Sequence, residues 1–128
     1  MREFYDVFET VMEEQGVDQA KKMVAKHISS KRPPQENFTR ALENAGFEVK
    51  DIEHDEFKWR YLNGSVMLNN YSIRLAFLPS WKALVPDELL IQVFSEVEKR
   101  LNETAKENGE LVLTVPFVCV EAFKRRSI

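Results

Sequence analysis

ELVLTVPFVCVEAFK, residues Glu110 to Lys124, is the stretch on which the fold turns. Its alternating sets, Leu111/Leu113/Val115/Phe117/Cys119 and Val112/Thr114/Val118/Val120/Ala122, are both mainly apolar, as a strand covered on both faces requires. The pattern predicts a central strand, with Cys119 inside it as a small buried hydrophobe.

Immediately upstream, Leu90, Phe94, Val97, Leu101 and Ala105 recur at steps of three and four residues, which predicts a helix. Asp87 and Glu88 complement the positive end of its dipole, and Asn108-Gly109 ends it. Pro79 to Pro86 is a connection, with Pro79 as a helix stop. Val66 to Phe77 fits two templates: Val66, Tyr71, Ile73 and Leu75 suit a strand, whereas Leu68, Tyr71, Leu75 and Leu78 suit a helix. The unclean alternation through Met67, Leu68, Asn70 and Arg74 favours the helix. Asn63-Gly64 is a turn signal.

Phe47 to Tyr61 predicts a second strand, with Phe57, Trp59 and Tyr61 facing one way and Glu56, Lys58 and Arg60 the other. Ile52 falls out of phase, which points to a bulge or bend around Glu53 to Asp55. Pro34 opens a helix carrying Phe38, Ala41, Leu42 and Ala45 and ending at Gly46. Before it, Phe4, Phe8, Val11 and Met12 mark a first helix ending at Gly16. Ala20, Met23, Val24 and Ile28 mark a second, with His27 at the stripe's edge. Ser29 to Pro34 breaks it. The chain therefore reads as one α+β domain, residues 1–128: a helical arm over 1–32, then helix, strand, helix, helix and strand over 33–128, with the strands antiparallel.

With 44% hydrophobic and 30% charged residues, the composition is that of a globular chain, and no apolar run reaches the roughly 18 to 20 residues of a membrane span. The net charge of -3 argues against a nucleic-acid binder, since Lys31-Arg32 and Lys124-Arg125-Arg126 are short solvated runs. A single cysteine excludes an internal disulfide, and the charged N-terminus has no signal-peptide core, which points to the cytoplasm. The four glycines stand at element ends, so no loop cradles a phosphate. His27, His54 and Cys119 share no metal-ligand spacing, and no serine or cysteine has a nucleophile's context.

What remains is WRYLNGSVMLNNYSIRLAFLPSW, residues Trp59 to Trp81, dense in aromatics with a few polar groups among them. Core filling explains the aromatics. Asn69, Asn70, Tyr71 and Arg74 also resemble the sparse polar groups that orient a ligand in an apolar pocket, Arg74 being suited to a carboxylate or phosphate.

Three pieces in order, Ala41 to Val49, Asn69 to Trp81 and Leu113 to Phe117, resemble the C-terminal half of class I S-adenosylmethionine-dependent methyltransferases, close to bacterial small-molecule or uncharacterised members. The resemblance implies that Phe47 to Tyr61 and Glu110 to Lys124 correspond to the last two strands of that family's sheet. It also implies that the N-terminal helices and Gly64 to Trp81 cover the substrate. Tyr5, Tyr61, Asn70, Tyr71, Arg74 and Trp81 are then the expected substrate-binding residues. No counterpart of the family's cofactor loop stands in these 128 residues. S-adenosylmethionine is accordingly expected only with a separate cofactor-binding half, no residue is named catalytic, and whether the chain is an enzyme is open. In this reading the last strand exposes an apolar edge, paired in a homodimer or with the cofactor half. The other reading is a non-catalytic module, derived from the same fold, that binds a small ligand or dimerises.

Overall fold

The structure, a computed structural model, describes residues 1–126. Seven helices and two strands run in the order α1 (Arg2–Glu14), α2 (Ala20–Lys31), α3 (Gln35–Asn44), β1 (Phe47–Tyr61), α4 (Gly64–Asn69), α5 (Tyr71–Ala76), α6 (Leu78–Lys82), α7 (Leu90–Asn108) and β2 (Leu111–Lys124), with a 3-10 turn at Asp87–Leu89 leading into α7. The chain is α+β, and its sheet is one antiparallel pair, β1 with β2.

Helix α1 is amphipathic at 3.6-residue spacing, and it buries Phe4, Phe8, Val11 and Met12 completely. At roughly 1.5 to 3 kcal/mol for each large apolar side chain removed from water, this face is a main source of stability. It packs on α7, which presents Val93, Val97, Leu101 and Ala105. Residues 1–32 are thus part of the core wall. Trp81 on α6 fills the centre, stacked on Phe4 with ring centroids 3.8 Å apart, while Leu111 and Leu113 bring in the first turn of the sheet.

Local chemistry accounts for most element ends. Gly16, Gly46 and Gly109 all adopt positive φ, the left-handed conformation that ends α1, α3 and α7 at little steric cost. Asn63 and Asn70 cap α4 and α5, accepting from the N–H of Val66 at 2.9 Å and of Ser72 at 3.0 Å. Asn63-Gly64 is therefore a helix start and not a hairpin turn. The expected single helix over 66–77 is broken at Asn70, whose extended ψ of 137° ends one helix while its side chain starts the next. Pro79, expected to stop a helix, lies in the first turn of α6, where its missing N–H removes no helical bond.

β1 matches its expected span and β2 starts one residue after the expected Glu110, but the irregularity lies between Val49 and Asp51, upstream of the expected bend at Glu53 to Asp55. Ile52 is out of phase with Phe57 because it belongs to the opposite face, across from Val120. Burial corrects a second expectation. Only Leu111, Leu113 and Thr114 of β2 are buried, and from Pro116 onward most of the strand is exposed, Cys119 included. Alternation on both faces reports the apolar character of the strand, whereas its covering depends on helices that reach only its first third. Helix α3 buries nothing; the aromatic ring of its stripe, Phe38, is 52% exposed. The molecule thus has a closed half, built on α1, α2 and α4–α7, and an open half made of α3 and the far end of the β1–β2 pair.

Candidate functional site

The six residues expected on a substrate surface fall into four separate settings. Trp81 is fully buried, and its Nε1–H donates to the Tyr5 hydroxyl at 3.1 Å. Burial pushes the Tyr5 phenol up, with the Trp81 bond opposing it in part. The pair closes the core beneath α1, so Trp81 is removed from any solvent-facing surface. Its indole is the largest apolar group available to fill the space between α1 and α6. Asn70 is committed to capping α5 through its side-chain oxygen. Tyr61 stands half-buried at the inner end of β1, packed against the core, and burial raises its pKa.

Tyr71 and Arg74 alone of the six share a cleft. Both project from α5 into solvent, Tyr71 being 78% exposed, and with Asn69 and Leu75 they line an open depression of about 400 Å³. Asn69 reaches back to the carbonyl of Ser65 at 2.8 Å, which leaves Arg74 as the cation of this cleft. A planar guanidinium beside a phenol suits a small carboxylate or phosphate ester. Leu75 and Ile91, 68% and 82% exposed, continue the surface with apolar groups.

Two arrangements were not legible in the sequence. At the α4–α7 contact, Ser65 Oγ donates to Glu98 Oε1 at 2.5 Å and accepts from Asn102 Nδ2 at 3.0 Å, while Asn102 Oδ1 accepts from the Ser65 N–H. The cluster ties two helices at their closest approach. A Cβ on Gly64 would stand 2.5 Å from Leu101 Cβ, so only glycine allows that approach. The second lies at the sheet edge. Thr114 donates its N–H to Glu3 Oε2 at 2.8 Å and its hydroxyl to Glu3 Oε1 at 2.5 Å, and its carbonyl accepts from the Met1 amine. Lys58 Nζ donates to the same hydroxyl at 2.9 Å.

That cluster defines which way the edge faces. Both backbone groups of Thr114 point away from β1, so by alternation Val112, Pro116, Val118, Val120 and Ala122 also direct theirs outward. At the far end, the N–H of Arg125, an odd-numbered residue, donates inward to the carbonyl of Gly46 at 2.8 Å. Thr114 is satisfied by α1, and Pro116 has no N–H to offer. Val118, Val120 and Ala122 form the open stretch, flanked by Phe117 and Phe123, 41% and 53% exposed.

Among the described residues no group of three or more His, Cys, Asp or Glu is placed to hold a metal, and no helix is long and apolar enough to cross a membrane. No protein-family model, curated protein or solved structure matches this chain.

Proposed function

We propose that this chain is the C-terminal, substrate-covering portion of an S-adenosylmethionine-dependent methyltransferase, whose cofactor is held by another half. The observation that carries the reading is the open half of the fold. Helix α3 buries no residue, and beyond Phe57 the strand pair exposes Phe117, Val118 and Phe123 together with an unpaired backbone edge. Helices support the inner part of the strand pair, whereas its far part stands as a two-stranded ribbon, which is marginal in water and offers its edge to a further strand. In this reading the other half supplies the cofactor loop, and the glycines of this chain serve its own elements: Gly16, Gly46 and Gly109 end helices and Gly64 is packed on Leu101.

In this reading the closed half lies over the substrate, and Arg74 with Tyr71 supplies polar recognition at its surface. Tyr61, at the inner end of β1, supports the shape of the cover together with Tyr5, Asn70 and Trp81. The open edge takes a strand from the cofactor half or from a second copy. A second reading, a non-catalytic module that dimerises or binds a small ligand, uses the same edge.

The test is the intact mass and cofactor binding of the endogenous protein. A species longer than 15.0 kDa by roughly 100 residues or more, which photo-crosslinks to labelled S-adenosylmethionine, supports the methyltransferase. A 15.0 kDa species that co-purifies with no cofactor-binding chain sinks it in favour of the module.

A further inference from the structure

We infer that the edge of β2 pairs with the same edge of a second copy, antiparallel about a two-fold axis through Val120, to make a continuous four-stranded sheet in the order β1, β2, β2, β1. This deepens the reading above, with which it shares the open edge, by naming a second copy as the occupant; cofactor crosslinking tests that reading and sedimentation tests this one.

The argument begins with the ends of the usable edge. On the inner side, Glu3 and the Met1 amine occupy the outward groups of Thr114, and Pro116 cannot donate. On the outer side the strand ends at Lys124. Between these stops, Val118, Val120 and Ala122 are the residues with both N–H and C=O directed outward. Val120 is equidistant from Pro116 and Lys124. A two-fold there sets Val118 against the second copy's Ala122, Val120 against the second copy's Val120, and Ala122 against the second copy's Val118. Every available group is used, and α1 of neither copy is displaced.

Side chains select the same register. Opposed residues of an antiparallel pair share a face. On one face Val118, Val120 and Ala122 meet their counterparts, all apolar. On the other, Phe117 meets the second copy's Phe123, which covers two of the exposed aromatics of the open half, and Cys119 meets the second copy's Glu121. Moving the two-fold one residue outward sets Glu121 directly against the second copy's Glu121, a like-charge pair that destabilises. Moving it one residue inward spends Ala122 on Pro116, which has no N–H to return.

Cys119, the single cysteine, reads this register. With the two-fold at Val120 the two Cys119 residues are diagonal neighbours on one face, about 7–8 Å apart. A short bismaleimide spans that distance, whereas a direct disulfide does not form at such separation. The experiment uses the full chain: sedimentation equilibrium, then bismaleimide treatment and, separately, mild oxidation. Expected are a dimer, an efficient bismaleimide cross-link and no disulfide. Val120→Lys places two ammonium groups on the axis and leaves the β1–β2 hydrogen bonds intact, so it is expected to give a monomer with unchanged far-ultraviolet circular dichroism. A monomeric parent chain, a Val120→Lys protein that stays dimeric, or rapid disulfide formation at Cys119 each overturns the pairing. If Val120→Lys fails to fold, Val118→Lys, two residues away on the same face, gives the same reading.

Discussion

Glu3 holds Thr114 by two hydrogen bonds, one carboxylate oxygen accepting the backbone N–H at 2.8 Å and the other the hydroxyl at 2.5 Å. The first turn of α1 therefore does for one position of β2 what a neighbouring strand would do. It converts an exposed edge into a protected one at the point where the sheet enters the core, and Pro116 blunts the next outward position.

The same contact makes stability depend on pH. Burial draws the Glu3 carboxyl up, but the two bonds from Thr114, together with its own backbone N–H and the positive Met1 amine, outweigh it and hold the pKa below the usual carboxylate value. A depressed folded pKa gives stability that is present above the unfolded pKa and lost as pH falls through the folded one. Urea unfolding should show the parent chain losing stability on acidification below the ordinary glutamate range, with Glu3→Gln flattening that slope. At pH 7, Glu3→Ala is expected to cost about 1 to 3 kcal/mol, the range for leaving a buried donor such as the Thr114 N–H unsatisfied. An unchanged acid limb in Glu3→Gln would contradict the assignment.

Trp81→Ala should be among the most damaging single changes, at about 3 to 5 kcal/mol, because the indole is fully buried against Phe4 and Phe77. Tyr5→Phe is milder. It keeps the packing but strands the Trp81 N–H, for an expected loss of about 1 to 3 kcal/mol. Thermal melts of the two variants are the measurement, and similar melting points would show that the indole is not the centre of the core.

Gly64→Ala is expected to destabilise by about 1 to 3 kcal/mol, the range for overpacking. Its Cβ would meet Leu101 Cβ at 2.5 Å and the Glu98 carbonyl at 3.2 Å, both on α7. Leu101→Ala should not rescue it, because alanine keeps the Cβ that the new methyl meets and Leu101 is itself part of the core. A neutral Gly64→Ala would mean that α4 shifts freely on α7.

Arg74→Ala should leave the melting point within the range of a surface change, about 0.5 kcal/mol, because Arg74 is exposed and takes part in no ion pair among those described. Under the proposed methyltransferase reading, the same change in the full-length protein should weaken substrate binding and spare cofactor binding. Calorimetric titration with substrate separates the two, and unchanged substrate affinity would remove Arg74 from the site.

Amide exchange offers a check on the edge itself. Thr114 should exchange slowly, bonded as it is to Glu3. Val118 should exchange rapidly in the Val120→Lys background, and Val118 and Val120 slowly in the parent dimer. Equal rates for Thr114 and Val118 in every state would contradict the inference that α1 protects only the inner part of the edge.

Local chemistry in the sequence determined the strands Phe47–Tyr61 and Leu111–Lys124, the α7 stripe, and the glycine ends of α1, α3 and α7, because alternation, periodicity and positive φ are properties of neighbouring residues. It also determined that both faces of the last strand are apolar. Tertiary structure alone decided what covers them. Whether Cys119 and Phe117 are buried depends on how far the helices reach along β2, and they stop near Val115. It likewise decided that Trp81 and Tyr5 meet in the core while Tyr71 and Arg74 meet in solvent. Those residues share no sequence pattern, and their surroundings arise from the turn between α5 and α6. Finally, the protection of Thr114 by Glu3 joins residues at the two ends of the chain, a relationship that no local pattern encodes.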